Sequence, residues 1–217
     1  MDGVITMEDA RALVGDAKLW PRVRDFLWDF APQVHESWLE PKQLSLRDSP
    51  RVKRYILDSL GVEQCFHAFP KDDGSRILLL DGATLESAAK WLGALACAES
   101  LRRVTSGEIV RELRAKLRGI YPEVFGYTAY FSGLDFQRRD AEAQSLQTVV
   151  VEEGYSLLQS VVANLPSPLV ARLKFKLPKG LCASAPLRLE ERPSQTNLSA
   201  VLKLFKLKFP EAYKLCC

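Results

Sequence analysis

LESAAKWLGALACAESLRRVTSGEIVRELRAKL, from Leu85 to Leu117, decides the fold. Apolar or small residues fill Trp91–Ala98 on nearly all sides, and a helix that is apolar all round is a buried one. Steps of three or four residues from Leu85 reach Ala88, Leu92, Leu95, Glu99 and Arg103. A carboxylate and a guanidinium therefore continue the line of a core-facing stripe, at i and i+4, where helical side chains meet. Thr105-x-x-Glu108 follows as a capping box and opens a second helix. It turns Ile109, Leu113 and Leu117 inward and Arg111, Arg114 and Arg118 outward, and Gly119 closes it.

The same periodicity recurs on both sides. Thr6-x-x-Asp9 opens a short helix ending at Gly15. Trp20-Pro21 starts the next, with proline in the first turn, a stripe of Val23, Phe26, Leu27 and Phe30, and Pro32 as its stop. Ser49-Pro50 begins another, lined by Val52, Ile56 and Leu60 and ended by Gly61. Pro70–Arg76 reads as a polar turn, and Ile77–Leu80 as either a short strand or the lead-in to the buried helix. Tyr121–Phe131 carries five aromatic residues that fit core packing, and Leu134–Ala141 reads as a charged loop.

A long stripe then runs through Leu146, Val150, Gly154, Leu157, Val161 and Leu165. A mid-helix glycine costs roughly 1 kcal/mol against alanine, so Gly154 points to a close helix crossing. Ser167-Pro168 starts a helix with Leu169, Val170, Leu173 and Leu177 inward, ended by Pro178. Leu181–Pro193 reads as loop. Ser194–Phe209 is amphipathic, with Leu198, Val201, Leu202 and Phe205 on one side and Lys203 and Lys206 towards the other. The expected fold is all-α: a single irregular multi-helix domain over residues 1–217, with little or no sheet. Residues 1–76 form its more variable part, 77–209 its helical core and 210–217 a tail.

Composition narrows the function. Of 217 residues 47% are apolar and 26% charged, which suits a globular domain, and no apolar run approaches the length of a membrane span. The first residues, MDGVITMEDARAL, lack a basic region followed by an apolar run, so no secretory signal is expected. The five cysteines are odd in number and form no C-x-x-C pair, which fits a reducing cytoplasm. Cys97 reads as a small buried hydrophobe, and Cys216-Cys217 as an exposed, oxidisable tail.

The net charge of +3 is unevenly placed: residues 161–217 carry +7 and residues 1–160 carry −4. Arg172, Lys174, Lys176 and Lys179 surround Phe175 in a basic stretch suited to phosphate contact and stacking. The helix after Pro193 has the lysine-rich amphipathic character of a membrane-surface helix. An anionic membrane surface or a nucleic acid is thus the alternative to a protein partner.

Catalytic patterns are missing. The chain has no G-x-S-x-G elbow, no P-loop and no G-x-G-x-x-G fingerprint. Cys65-x-His67 is the only approach to a zinc pair and lacks further ligands. Asp72-Asp73-Gly74 lacks the remaining ligands of a calcium loop, including the closing glutamate. Glu152 and Glu153 are neighbours on a helix and do not face each other. No catalytic residue, cofactor or metal is expected. Glu99, Arg102 and Arg103 read either as an intramolecular closure of the buried helix or as a partner-facing patch, for which arginine is well suited.

The pattern LG-x5-E-x-LRR, from Leu92-Gly93 to Glu99 and Leu101-Arg102-Arg103, resembles the signature of the type III secretion sorting-platform accessory protein, the K component (SctK/YscK family). The Gly154 helix running into LPSPLVARLKFKLP (165–178) and the basic helix after Arg192-Pro193 are similar to the family's. WPRVRDFLWDFAP (20–32) matches more loosely an early helix of that family. The resemblance covers most of Ile77–Phe209. It implies a non-enzymatic, all-helical adaptor in the bacterial cytoplasm, peripheral to the inner membrane. Its implied partners are the cytoplasmic domain of the inner-membrane ring protein (the D component) and the pod protein of the sorting platform (the Q component), with the stalk protein and ATPase reached indirectly. Nucleic acid and direct membrane insertion play no part in it. The residues matched to the family pattern, Glu99, Arg102 and Arg103, are the candidate partner contacts.

Overall fold

The computed structural model describes residues 19–62, 73–131, 146–180 and 195–216. Among these every regular element is a helix, so the chain is all-α. The α-helices are α1 (Trp20–Trp28), α2 (Pro41–Ser45), α3 (Pro50–Ser59), α4 (Asp73–Arg76), α5 (Gly82–Ala96), α6 (Ala98–Arg102), α7 (Gly107–Lys116), α8 (Leu146–Val162), α9 (Ser167–Lys176), α10 (Gln195–Lys208) and α11 (Pro210–Cys216). Short 3-10 turns link several of them. Contacts group the chain into two compact units. One lies within Met1–Ala83, Leu165–Lys179 and Lys214–Cys217, the other within Thr84–Asn164 and Gly180–Tyr213.

The first unit joins short helices through their ends. Val23, Phe26 and Leu27 of α1 are buried, as is Phe30 beyond it. The helix stops at Trp28, ahead of Pro32, which opens a 3-10 turn at Ala31–Gln33 instead. On α3, Ile56 is the buried residue, and Gly61 (φ +63°) ends the segment in the left-handed region that favours glycine. Ile77–Leu79 is a buried 3-10 turn, which resolves the choice between strand and lead-in. Helix α9 buries Leu169, Val170 and Leu173, with Leu177 behind them, as its stripe requires. The 3-10 turns around residues 31–38 clasp its C-terminus. The His35 N–H donates to the Phe175 carbonyl at 2.7 Å and Trp38 Nε1 to the Leu177 carbonyl at 2.8 Å.

The same helix buries two cations. Arg172 and Lys176 are each 1% exposed, one turn apart. Arg172 Nη1 donates to the Phe26 carbonyl, and to that of Leu27 at 3.1 Å. Its guanidinium stands 5.4 and 5.1 Å from the ring centroids of Phe26 and Phe30. Lys176 Nζ donates to the carbonyls of Leu78 and Leu80 at 2.6 and 2.9 Å. Helix ends leave carbonyls without intrahelical donors, and these cations complete the end of α1 and of the 77–79 turn. On the surface side, Arg47 does the same for the turn at 31–33, donating to the carbonyls of Ala31, Pro32 and Val34.

The second unit is built on a backbone crossing. Helix α5 buries Leu85, Ala88, Ala89 and every residue from Trp91 to Leu95. Helix α8 crosses it at Gly154. A Cβ built on Gly154 would overlap the Ala89 carbonyl and stand 2.9 Å from the Gly93 nitrogen, and one on Gly93 would overlap the Val150 carbonyl. The close crossing expected at Gly154 is present, and Gly93 is its other half. Around it the buried line of α8 is Leu146, Val150, Tyr155, Leu158, Val161 and Val162. Leu158 takes the inward place expected of Leu157, and Leu165 is only partly covered. This follows from a contact wide enough to bury two adjacent rows of the helix.

Helix α10 packs on α8 and buries Ala200, Val201, Leu204 and Phe205, and Asn197 Nδ2 donates to Ser160 Oγ at 2.8 Å. Leu204 replaces Leu202 on the buried side. In α7, Leu113 is buried and Arg111, Arg114 and Arg118 are exposed. Its N-cap is Ser106 rather than Thr105, with no side-chain capping bond, so the expected capping box does not form. The expected tail at 210–217 contains α11, and Cys216 is fully buried rather than exposed. Thr6–Gly15, Leu134–Ala141 and Leu181–Pro193 lie outside the described residues.

Two outcomes follow from these contacts. Alanine at an ordinary mid-helix glycine gains about 1 kcal/mol. At Gly154 the sign reverses, because the obstacle is backbone, and Gly154→Ala is expected to cost roughly 3 kcal/mol or more. Gly107→Ala, with nothing within 4 Å of the new methyl, is expected to be near neutral, and urea unfolding of both variants checks the contrast. The second outcome concerns pH. Burial lowers the Lys176 pKa from 10.5 to about 7, opposed by Asp81 and reinforced by Arg172 and Arg22. Between about pH 7 and 10.5 the unfolded chain holds a proton that the folded chain has released. Stability from this group is therefore fully present above the unfolded value and is lost as pH falls through the folded one. The native protein is expected to gain stability on Lys176→Met as pH is raised from neutral towards 10; parallel pH profiles in urea would contradict the assignment.

Candidate partner-binding surface

The helix that carries the candidate residues is interrupted once. Helix α5 ends at Ala96, and Cys97, 5% exposed, separates it from α6. Leu101 is buried, whereas Glu99, Arg102 and Arg103 are exposed. The sequence stripe thus leaves the core one turn beyond Leu95, where the second unit meets solvent.

The three residues have different local roles. Arg103 Nη2 stands 2.7 Å from Glu99 Oε1, and both side chains are more than half exposed, at 67% and 54%. An exposed i, i+4 pair contributes only about 0.3–0.5 kcal/mol, too little to hold a helix end and little for a partner to displace. Arg102 is tied inward. Its Nη2 donates to Thr128 Oγ1 at 3.0 Å and to the Phe125 carbonyl at 3.4 Å, and its guanidinium lies 5.4 Å from the Phe125 ring centroid. It anchors the two 3-10 turns at Glu123–Gly126 and Thr128–Phe131.

Those turns carry a cation–aromatic cluster that the sequence did not announce. Trp91 and Tyr127 meet edge to face at 5.7 Å, and Tyr127 and Tyr130 lie 6.2 Å apart. Lys208 of α10 places its ammonium 4.5 Å from the Trp91 centroid and 4.1 Å from that of Tyr127, and pairs with Glu123. Desolvation alone would lower its pKa, but hydrogen bonds to Glu123 and Tyr127 outweigh that and raise it. Lys203 donates to the Tyr130 carbonyl at 2.5 Å, with the Tyr130 and Phe131 centroids at 6.0 and 5.6 Å. Cations over aromatic faces gain roughly 0.5–2 kcal/mol each. The two lysines secure α10 to the aromatic turns. No local spacing links residues 121–131 to 203 and 208, so only the fold reveals the cluster.

The basic stretch singled out for nucleic acid is differently employed. Arg172 and Lys176 are buried, and Lys174 and Lys179 lie over the Trp38 ring at 5.3 and 5.7 Å. All four have intramolecular roles. His35 Nδ1 accepts from the Ser37 backbone N–H at 3.1 Å, while Cys65 and His67 lie outside the described residues. Among the described residues no group of three His, Cys, Asp or Glu side chains is placed to hold a metal ion, and no helix is long and apolar enough to cross a membrane.

No curated protein and no solved structure matches the chain significantly. A protein family does. The match extends from residue 24 to residue 216, from within α1 to the last turn of α11, and takes in the glycine crossing, the Glu99–Arg103 segment and the cation–aromatic cluster alike. On that match the chain belongs to the YscK family, YOP proteins translocation protein K, a family of type III secretion proteins.

Proposed function

We propose that this protein is a non-enzymatic adaptor on the cytoplasmic side of a type III secretion apparatus. It links the cytoplasmic domain of the inner-membrane ring protein to the pod protein of the sorting platform, and through the pod to the stalk and ATPase. Family membership over residues 24–216 carries this reading. The second unit fits this reading: Lys203 and Lys208 hold α10 to the aromatic turns, and Arg102 holds those turns to α6. Glu99 and Arg103 form the candidate contact, because their pairing is exposed and weak. Arg102 supports that contact from behind through Phe125 and Thr128.

Co-expression with each candidate partner, followed by size-exclusion chromatography, tests the adaptor role; co-elution with both is expected. A paired swap, Glu99→Arg with Arg103→Glu, tests the contact. It keeps an intramolecular ion pair while reversing the charge offered at each position. The swap is expected to weaken one of the two complexes by about tenfold, or ~1.4 kcal/mol, with an unchanged melting temperature. Full retention of both complexes would leave the pair with a purely intramolecular role.

A further inference from the structure

We infer that the outward stripe of α10, with Lys203, Lys206 and Leu207 beside Tyr130, docks an acidic segment of a protein partner that carries an apolar anchor. The inference rests on the adaptor reading and names a second contact within it. Five large apolar side chains are exposed among the described residues, and Tyr130 (58%) and Leu207 (43%) are two of them. The Lys203 ammonium joins them into one patch. It holds the Tyr130 carbonyl, and its side chain lies one helical turn before Leu207. Thr196, Ser199, Lys203, Lys206 and Leu207 share the exposed face.

Charge selects the occupant. Helix α10 contains three lysines and no carboxylate. The nearest acid of the cluster, Glu123, is neutralised by Lys208. Glu211, next along the chain, stands in the first turn of α11, where a carboxylate complements the helix dipole. Among the described residues no carboxylate forms an ion pair with Lys203 or Lys206, so the stripe offers positive charge flanked by an aromatic and an aliphatic side chain. Interfaces favour this pairing of apolar anchor with charged rim.

Two other occupants fit less well. A membrane-surface helix must sink its apolar face among lipid chains. The apolar face of α10 is already spent inside its own unit, where Ala200, Val201, Leu204 and Phe205 are at most 5% exposed. Leu207 and Tyr130 alone are too small a wedge. A nucleic acid calls for a track of cations along its backbone. On α10 the exposed cations are Lys203 and Lys206, less than one turn apart, while Lys208 is paired with Glu123 and held over Tyr127; two neighbouring ammonium groups do not make such a track.

The full-length chain and its Lys206→Glu/Leu207→Ser variant, each checked by circular dichroism and melting, are titrated with the ring cytoplasmic domain and with the pod protein at low and moderate salt. Tyr130→Ala serves as an independent second variant. Phosphatidylserine vesicles and a mixed-sequence single-stranded DNA are run alongside. The inference expects native affinity for one partner to fall at least tenfold in both variants, to weaken with salt in the native chain, and to remain intact for the other partner. Undiminished affinity for both partners overturns the inference and leaves the adaptor reading standing. A native chain that binds neither partner overturns the adaptor reading, and this contact with it. Binding to vesicles or DNA that the variants lose, with the protein complexes unaffected, assigns the stripe to a polyanion instead and also overturns it.

Discussion

The second unit depends on the absence of two side chains. At Gly93 and Gly154 the backbones of α5 and α8 come so close that a methyl group on either would occupy the other helix's carbonyl oxygen or amide. Flexible side chains give way to a neighbour; peptide groups inside two hydrogen-bonded helices do not. The crossing therefore fixes where α8 lies against α5 to within a fraction of an ångström. Everything mounted on these helices inherits that placement. Helix α10 docks on α8 and buries Val201, Leu204 and Phe205. Trp91, two residues before Gly93, meets the Tyr127 ring edge to face and carries the Lys208 ammonium over its own ring.

The first unit solves a different problem. Its helices are short, so a large share of its backbone carbonyls lies at helix ends, where no intrahelical donor reaches them. Water satisfies such groups at a surface, but Phe26, Leu27, Leu78 and Leu80 are buried. Arg172 and Lys176 supply the missing donors from one face of α9. A buried cation is expensive unless it is surrounded by acceptors. Here the acceptors are the negative ends of helical turns, and the Phe26 ring lies within 5.4 Å of the guanidinium and 5.0 Å of the ammonium. The cost shows as a lowered pKa on Lys176, whose amine can shed its proton, whereas the Arg172 guanidinium keeps its charge.

What could be read in the sequence was whatever is local. Helix starts at Pro21, Pro50 and Ser167-Pro168, the buried α5, and the meaning of Gly154 are all carried by residues within one or two turns of each other. Failures arose where a residue answers to something distant. Arg172 and Lys176 read as part of a basic stretch suited to phosphate contact, and no spacing in α9 reveals the carbonyls of α1 and of the 77–79 turn that they meet. Residues 210–217 read as a tail, although Pro210 is well suited to begin a helix, which α11 does. Burial of Cys216 then follows from that helix. Thr105 read as the N-cap, but the adjacent Ser106 takes that place, and position alone does not choose between neighbouring hydroxyl residues. The ion pair at Glu99–Arg103 was legible, since i, i+4 geometry is local; the choice between helix closure and outward patch stayed open, because the apolar stripe before it gives no notice that the core ends at Leu101.

Uneven charge in the sequence invites a polyanion as partner, and the placement of the cations argues against it. Of the described basic residues beyond residue 160, Arg172 and Lys176 are interior donors, Lys174 and Lys179 lie over Trp38, and Lys203 and Lys208 lie over the aromatic turns. Charge held by a carbonyl or a ring face still contributes to the net count, but part of its hydrogen-bonding capacity is taken. A formal charge of +7 over residues 161–217 consequently overstates what the outside of the molecule offers. Non-specific binding to DNA or lipid scales with the number of cations free to follow a phosphate lattice. A few outward cations set beside one tyrosine and one leucine instead suit recognition at a single place, by a surface that presents carboxylates and an apolar side chain in matching positions.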